Sequence, residues 1–394
     1  MRALDILRKG LSDSLSFMHA KRVEALWRAV EGVVRGGRLS LVALGRALPG
    51  RAQEKHRIKA ADRLLGNGAL HAELLRVYQA LARELLRATS TPVLAVDWTS
   101  VGAHHYALNA SVCVEGRALP VFSHVVPKRR VHNPAEHRRF LRRLAQVLPE
   151  HTRPTLVTDA GFYPNWFDAV QRLRWDYVGR VRNKTHAHID GTWVPVKSLH
   201  RRAGEHPRNL GPLELRKERP FRCRLVLSSR PTPQGRVRKT RSGARGRRTV
   251  DHRCRKQARE PWVLATSLDA SPTDVIRLYA LRMQIEQAFR DAKNPRHGSA
   301  MQHMGCHSAQ RIEVLLMLAA LATVVLTTLG RAAAHLGLER RYQANTIRDR
   351  RVLSDFVLAK RVLATHMTIA EDALLAAFHQ LLAIIAANAP TPPG

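Results

Sequence analysis

The chain has 394 residues, 45% of them hydrophobic, with 66 Lys and Arg against 31 Asp and Glu, a formal net charge of +35. That length and apolar content exclude a wholly disordered chain and allow two or three domains with real cores. Such a surplus repels itself unless a polyanion neutralises it, and its dominance by arginine along the whole length favours nucleic acid over a membrane surface.

The four cysteines, Cys113, Cys223, Cys254 and Cys306, have neither zinc-ligand spacing nor the look of a disulfide framework. His252 with Cys254, and His303 with Cys306 and His307, read as scattered side chains of a His-rich basic chain. No apolar signal core stands at the N-terminus. The apolar run Val314–Leu329 falls short of the roughly 20 residues a span needs. A cytoplasmic protein with no membrane partner is therefore expected.

Residues 1–90 read as helical. Apolar positions recur at helical spacing in Val23–Val34 and Leu70–Leu86. Between them, Ser40 caps Leu41–Leu48, Pro49-Gly50 turns the chain, and a second, basic helix follows. On it Lys55, Lys59 and Arg63 share one face, opposite Ile58, Ala61, Leu64 and Leu65. This suits a helix-turn-helix that contacts DNA, although an amphipathic pair with a solvated basic side has the same pattern.

From Thr91 the texture changes. Val93–Val96 reads as a buried strand with Asp97 near its carboxyl end. Strand-like runs follow at 106–115 and 118–126, then a helix at 134–148 with basic residues on one side. Thr155–Thr158 repeats the first pattern, with Asp159 at its tip and Gly161 in the turn. A helix at 165–173 and a strand at 177–181 complete an alternating unit, which suits an α/β mixed sheet. One Asp at a strand end is commonly a turn former. Two, each loading an apolar strand with a carboxylate, invite a metal or an ion pair.

Asn183–Glu218 reads as turn-rich and polar, and Phe221–Ser229 as a strand. Arg236–Arg259 holds eleven Arg or Lys and one acid, Asp251. It reads as a flexible basic loop that grips phosphates. Residues 261–268 form another strand. Beyond the segment described next, a long apolar helix is expected at 312–329, a polar stretch at 340–351 and an amphipathic helix at 364–388.

Ser271–Lys293 carries the densest chemistry. Ser271 or Thr273 can cap it, Pro272 tolerates a first turn, and no Gly or Pro interrupts it. One continuous helix of about five turns is expected. Tyr279, Arg282, Glu286 and Lys293 then fall within a strip of about 60°, with Arg290 bordering it. A carboxylate among cations and a phenol suits a metal site beside phosphate. Paired charges on a solvated helix face are the plainer alternative.

Asp97, Asp159 and Glu286, with Tyr279-x2-Arg282-x3-Glu286-x6-Lys293, resemble the DDE transposases of bacterial insertion sequences. Within these they resemble the Tyr-Arg-Glu-Lys (IS-four) family. KHRIKAADRLLGN, VDWTS, TDAGFYPNWF, EPWVLATSL and YALRMQIEQAFRDAK look especially similar to its transposon-ten group. The resemblance implies a ribonuclease-H-like mixed sheet with a mainly β insertion, flanked by helical N- and C-terminal domains. Residues 1–90 would bind the terminal inverted repeats. Residues 91–182 and 261–300 would form the catalytic core, 183–260 the insertion, and 301–394 a region for synapsis.

Asp97, Asp159 and Glu286 would hold two Mg²⁺ ions, with Mn²⁺ as a substitute. Tyr279, Arg282, Lys293 and Arg290 would contact phosphates, and Trp262 would hold a flipped base. The implied reaction is cut-and-paste transposition: nicking, hairpin formation, reopening, and joining of 3′-hydroxyl ends to target DNA. The implied partners are double-stranded DNA, a second copy of the chain in the synaptic complex and a host DNA-bending protein. A ribonuclease-H-like structure-specific nuclease and an inactive DNA-binding element protein are the alternatives.

Overall fold

The computed structural model describes residues 1–182, 185–228, 260–296, 298–344, 346 and 349–390. The expected basic loop, Arg236–Arg259, and its Cys254 lie outside these residues. The described chain forms two compact units, one of Met1–Pro154 with Leu281–Ala389, the other built on Thr155–Ala280.

The first unit begins with α1 (Arg2–Leu11), α2 (Ala20–Gly36), α3 (Leu41–Ala47), α4 (Glu54–Leu65) and α5 (Gly68–Leu86). Ser40 caps α3 by accepting from the Ala43 amide, and Asn67 caps α5 through the Leu70 amide. Gly45 lets α3 cross α4 at close range, since a Cβ there would lie 2.5 Å from the Ile58 Cα. Ala61, Leu64 and Leu65 of α4 are buried while Lys55, Lys59 and Arg63 are exposed. The expected basic face therefore stands in solvent.

Three antiparallel strands follow: β1 (Val93–Val101), β2 (His105–Cys113) and β3 (Ala118–Pro127). Asp97 lies opposite Asn109 inside the β1–β2 ladder. It thus sits in mid-strand and not at a strand end, because pairing with β2 extends β1 well past Val96. Next comes α6 (Pro134–Val147). Tyr78 of α5 packs edge-on against Phe122 of β3, with centroids 5.4 Å apart, and Phe122 stacks on Phe140 of α6 at 5.5 Å.

The second unit contains β4 (Thr155–Thr158), α7 (Pro164–Arg172), β5 (Asp176–Arg180), β6 (His186–Ile189), β7 (Thr192–Pro195), β8 (Arg208–Leu215), β9 (Phe221–Ser228), β10 (Trp262–Thr266) and α8 (Pro272–Leu281). Its strand order is β4-β5-β10-β9-β8-β6-β7. β4 and β5 run parallel across α7, whose Phe167 stacks on Tyr177 at 4.6 Å, and every other pair recorded within this unit is antiparallel. The architecture is α/β with a mixed sheet. The described part of the expected insertion is β-rich. Asn183–Glu218, read as turns, supplies β6, β7 and β8; the first two have only four residues each, and Gly211-Pro212 gives the third a turn signature.

The first unit closes with α9 (Met283–Lys293), α10 (Ala309–His335), α11 (Glu339–Tyr342), α12 (Asp355–Ala364) and α13 (Glu371–Ala387). The amphipathic run expected to start at Ala364 starts at Glu371, after a break that follows α12. Among the described residues only α10 is long and apolar enough to cross a membrane, and 83% of its most apolar window is buried inside the protein. It packs on α2, α5, β3, α12 and α13, as a core helix does.

Candidate active site

Ser271 caps α8: its hydroxyl accepts from the Asp274 amide at 3.1 Å and donates to the Asp274 carboxylate at 2.7 Å. The helix does not run on to Lys293. It stops after Leu281 and restarts at Met283, with Arg282 alone between. No Gly or Pro causes this break. Arg282 is only 9% exposed, and its guanidinium is drawn onto β1, while its carbonyl closes a tight bond from the Ile285 amide at 3.2 Å. Arg282 keeps helical dihedrals, φ −53° and ψ −32°, and bonds Glu286 one turn further on, so Arg282, Glu286, Arg290 and Lys293 stay related by helical geometry across this tightened turn.

α9 is amphipathic. Ile285 is fully buried with Ala95, Cys113 and Ala118 of the three-stranded sheet, and Ala288 and Phe289 pack on the same cluster. Two polar contacts fix its position. Gln284 accepts from the Val114 amide at 3.0 Å, and Arg117 donates to Asp291 at 2.6 Å. Neither Gln284 nor Asp291 was singled out in the sequence. Their partners lie 170 and 174 residues away, so no local pattern marks them.

On its other side α9 carries Glu286. Arg282 donates through Nη2 to Glu286 Oε1 at 2.6 Å and lies 3.6 Å through Nη1 from Asp97 Oδ2. Two carboxylates from distant parts of the chain thus face one guanidinium. They border an open cleft of about 750 Å³ that Trp98, Phe289, Arg290 and Lys293 also line. Lys293 is half-buried. Burial pulls its ammonium below the usual lysine value, and the Asp97 charge opposes that pull. Arg290 is exposed and donates to Gln287.

Asp159 belongs to the second unit, just after β4. Its carboxylate accepts from the Gly161 amide at 2.8 Å, which makes it the turn-closing residue of the strand-to-helix connection. Tyr279 and Trp262 also lie in this unit. Both are buried, at 3% and 8% exposure, and their rings meet edge to face at 4.8 Å. In the DNA-free chain the phenol and the indole expected to reach DNA pack against each other.

A protein-family description of a transposase DDE domain matches residues 88–325. This chain belongs to the DDE transposase family. No curated protein matches it, so nearness to the transposon-ten group rests on the quoted stretches alone. Members of the family generally use divalent metal ions. Among the described residues no group of three His, Cys, Asp or Glu forms a ready cage. The donor chemistry nevertheless fits: Asp97 and Glu286 offer hard oxygens to one cationic group, as magnesium requires.

Proposed function

We propose that this DDE transposase excises and inserts its element by cut-and-paste chemistry, with Asp97, Asp159 and Glu286 as its metal-binding acids. The observation that supports this most is the convergence of Asp97 and Glu286 on Arg282 in an open cleft flanked by Arg290 and Lys293. Bound magnesium would supply Lewis acidity to the phosphodiester and to the attacking oxygen. The protein's own part is placement: Asp97 and Glu286 would hold the cations, Lys293 and Arg290 would bind the phosphates of the transposon end, and the Arg282 guanidinium, which now faces both carboxylates, would serve as a further phosphate contact.

The exposed face of α4, with Lys55, Lys59 and Arg63, reads the terminal repeats in this scheme. One site carries nicking, hairpin formation, reopening and joining to target, so no covalent protein intermediate is needed. Assembly of two copies and a host bending protein belong to the same reading.

The test uses Asp97→Asn, Asp159→Asn and Glu286→Gln with a duplex carrying the element's own terminus. Each variant should bind the duplex within about twofold of the parent, since the lost groups hold metal and not the repeat. Each should lose more than about 10³-fold in strand nicking. Normal nicking with Mg²⁺ in any one of them removes that acid from the assignment.

A further inference from the structure

The first unit carries a second basic surface that lies apart from α4. After β3, the short 3₁₀ turn Lys128–Arg130 leads into α6, and Lys128, Arg129 and Arg130 are all exposed. Along α6, Arg138, Arg139 and Arg142 are exposed as well. Of these six, Arg130 is paired, donating to Glu136 at 2.7 Å. Among the described residues the other five have no acidic side chain within ion-pair distance. Arg143, next along the helix, is turned inward onto Glu313 at 2.7 Å, so the outward set is not a by-product of a uniformly basic helix. The turn also meets the N-terminal end of α6, capped by Asn133, where the helix dipole adds to the positive field.

This surface joins the candidate active site through one residue. Trp98, next to Asp97, lines the cleft. Its indole N–H donates to His137 Nε2 of α6 at 3.3 Å, and His132 meets the ring edge-on at 6.0 Å. His137 is buried, and burial with the nearby His132 brings it down to about 4, so it is a neutral acceptor at working pH. The tryptophan therefore fastens the start of the arginine ridge to the strand that carries Asp97.

We propose that the Lys128–Arg142 ridge captures target DNA, gripping the phosphates of a duplex of arbitrary sequence as it passes the cleft. This rests on the cut-and-paste reading above. Five outward cations without acids complement a polyanion, and their phosphate contacts carry no sequence information. Flanking donor DNA has the same chemistry. It is covalently continuous with the bound terminus, however, and is held at high effective concentration without contacts of its own. Target arrives from solution as a separate molecule and needs them.

The test combines Arg138→Ala, Arg139→Ala and Arg142→Ala, with the matching triple lysine variant as a charge-preserving control. Binding is measured against salt on a random-sequence duplex and on one carrying the element's terminus. For the random duplex the alanine triple should lose about tenfold or more in affinity, and its log–log salt slope should shrink by about 2.7, three contacts at ~0.9 each. Terminus binding and nicking should change less than twofold, the lysine triple should stay near the parent, and joining of precut ends to plasmid should fall with random-duplex affinity.

Unchanged salt slopes overturn the proposal. So does an equal loss on both duplexes, and so does a fall in nicking that matches the fall in joining, which would assign the ridge to donor DNA. If the parent protein neither nicks nor joins, the cut-and-paste reading fails and target capture fails with it. The salt slopes then still decide whether the ridge binds duplex DNA.

Discussion

Arg282 gives the sharpest test of how the acids are held before metal binds. Its guanidinium is 2.6 Å from Glu286 and 3.6 Å from Asp97, and it is 9% exposed. In Arg282→Gln the charge disappears while much of the side-chain volume stays. A charge-assisted hydrogen bond of this kind contributes about 2 kcal/mol, and its loss leaves two carboxylates facing each other. For a cooperative unit of this size that corresponds to a fall of about 4 °C in the melting temperature of the metal-free protein.

Divalent ions should reverse the sign. In the parent an incoming ion must displace the guanidinium, whereas in the variant it need not. The same 2 kcal/mol then appears as roughly thirty-fold tighter apparent binding of the metal. The assay is a thermal melt of DNA-free protein in chelator, followed by titration with Mg²⁺ or Ca²⁺. If the variant melts with the parent in chelator and shows the same metal midpoint, Arg282 is not a stand-in cation and the reasoning is refuted.

Two further outcomes are expected. Burial pushes Glu313 up, but hydrogen bonds from His124 and Arg143, the Arg143 charge and the Val125 amide outweigh it and hold the carboxyl at about 2. Its stabilising contribution, about 3 kcal/mol from 1.36 kcal/mol per unit, is present above the ordinary glutamate range and is lost as pH falls toward 2. Glu313→Gln should therefore destabilise at pH 7 and flatten the acid limb of a denaturant-melt series; an unchanged limb would place the acid sensitivity elsewhere. Gly45→Ala would set a Cβ 2.5 Å from backbone at Ile58, so α3 and α4 must separate. A cost of about 1–3 kcal/mol and weaker binding of the element's terminus are expected, measured by melting and by titration with that duplex.

Much of the scaffold was legible because local signals agreed. Thr155–Thr158 is a strand with the expected ends, and α3 and α4 follow from a serine cap, a Pro-Gly turn and an apolar stripe. Asp97 and Glu286 were picked out by the chemistry of lone acids and by family resemblance, and the structure brings both to Arg282. What escaped depends on contacts distant in sequence. The break at Arg282 has no breaker residue; it accompanies an ion pair with a strand 185 positions earlier. The packing of Trp262 on Tyr279 is equally invisible, because the two rings lie on separate elements and no local pattern pairs them. Strands β6 and β7 were missed because they have only four residues each and lie at the sheet edge, and β8 because Gly211-Pro212 interrupts it and reads as a turn.

Helix α10 makes helices from both chain termini depend on one another. Its sides are covered by α2 and α5 from the first ninety residues and by α12 and α13 from the last forty. A nascent polypeptide cannot complete the packing of its amino-terminal helices until the distal helices have emerged from the ribosome, so those helices wait unfinished during synthesis. A prematurely terminated product would expose a long stripe of leucine, valine and alanine and be cleared by proteases.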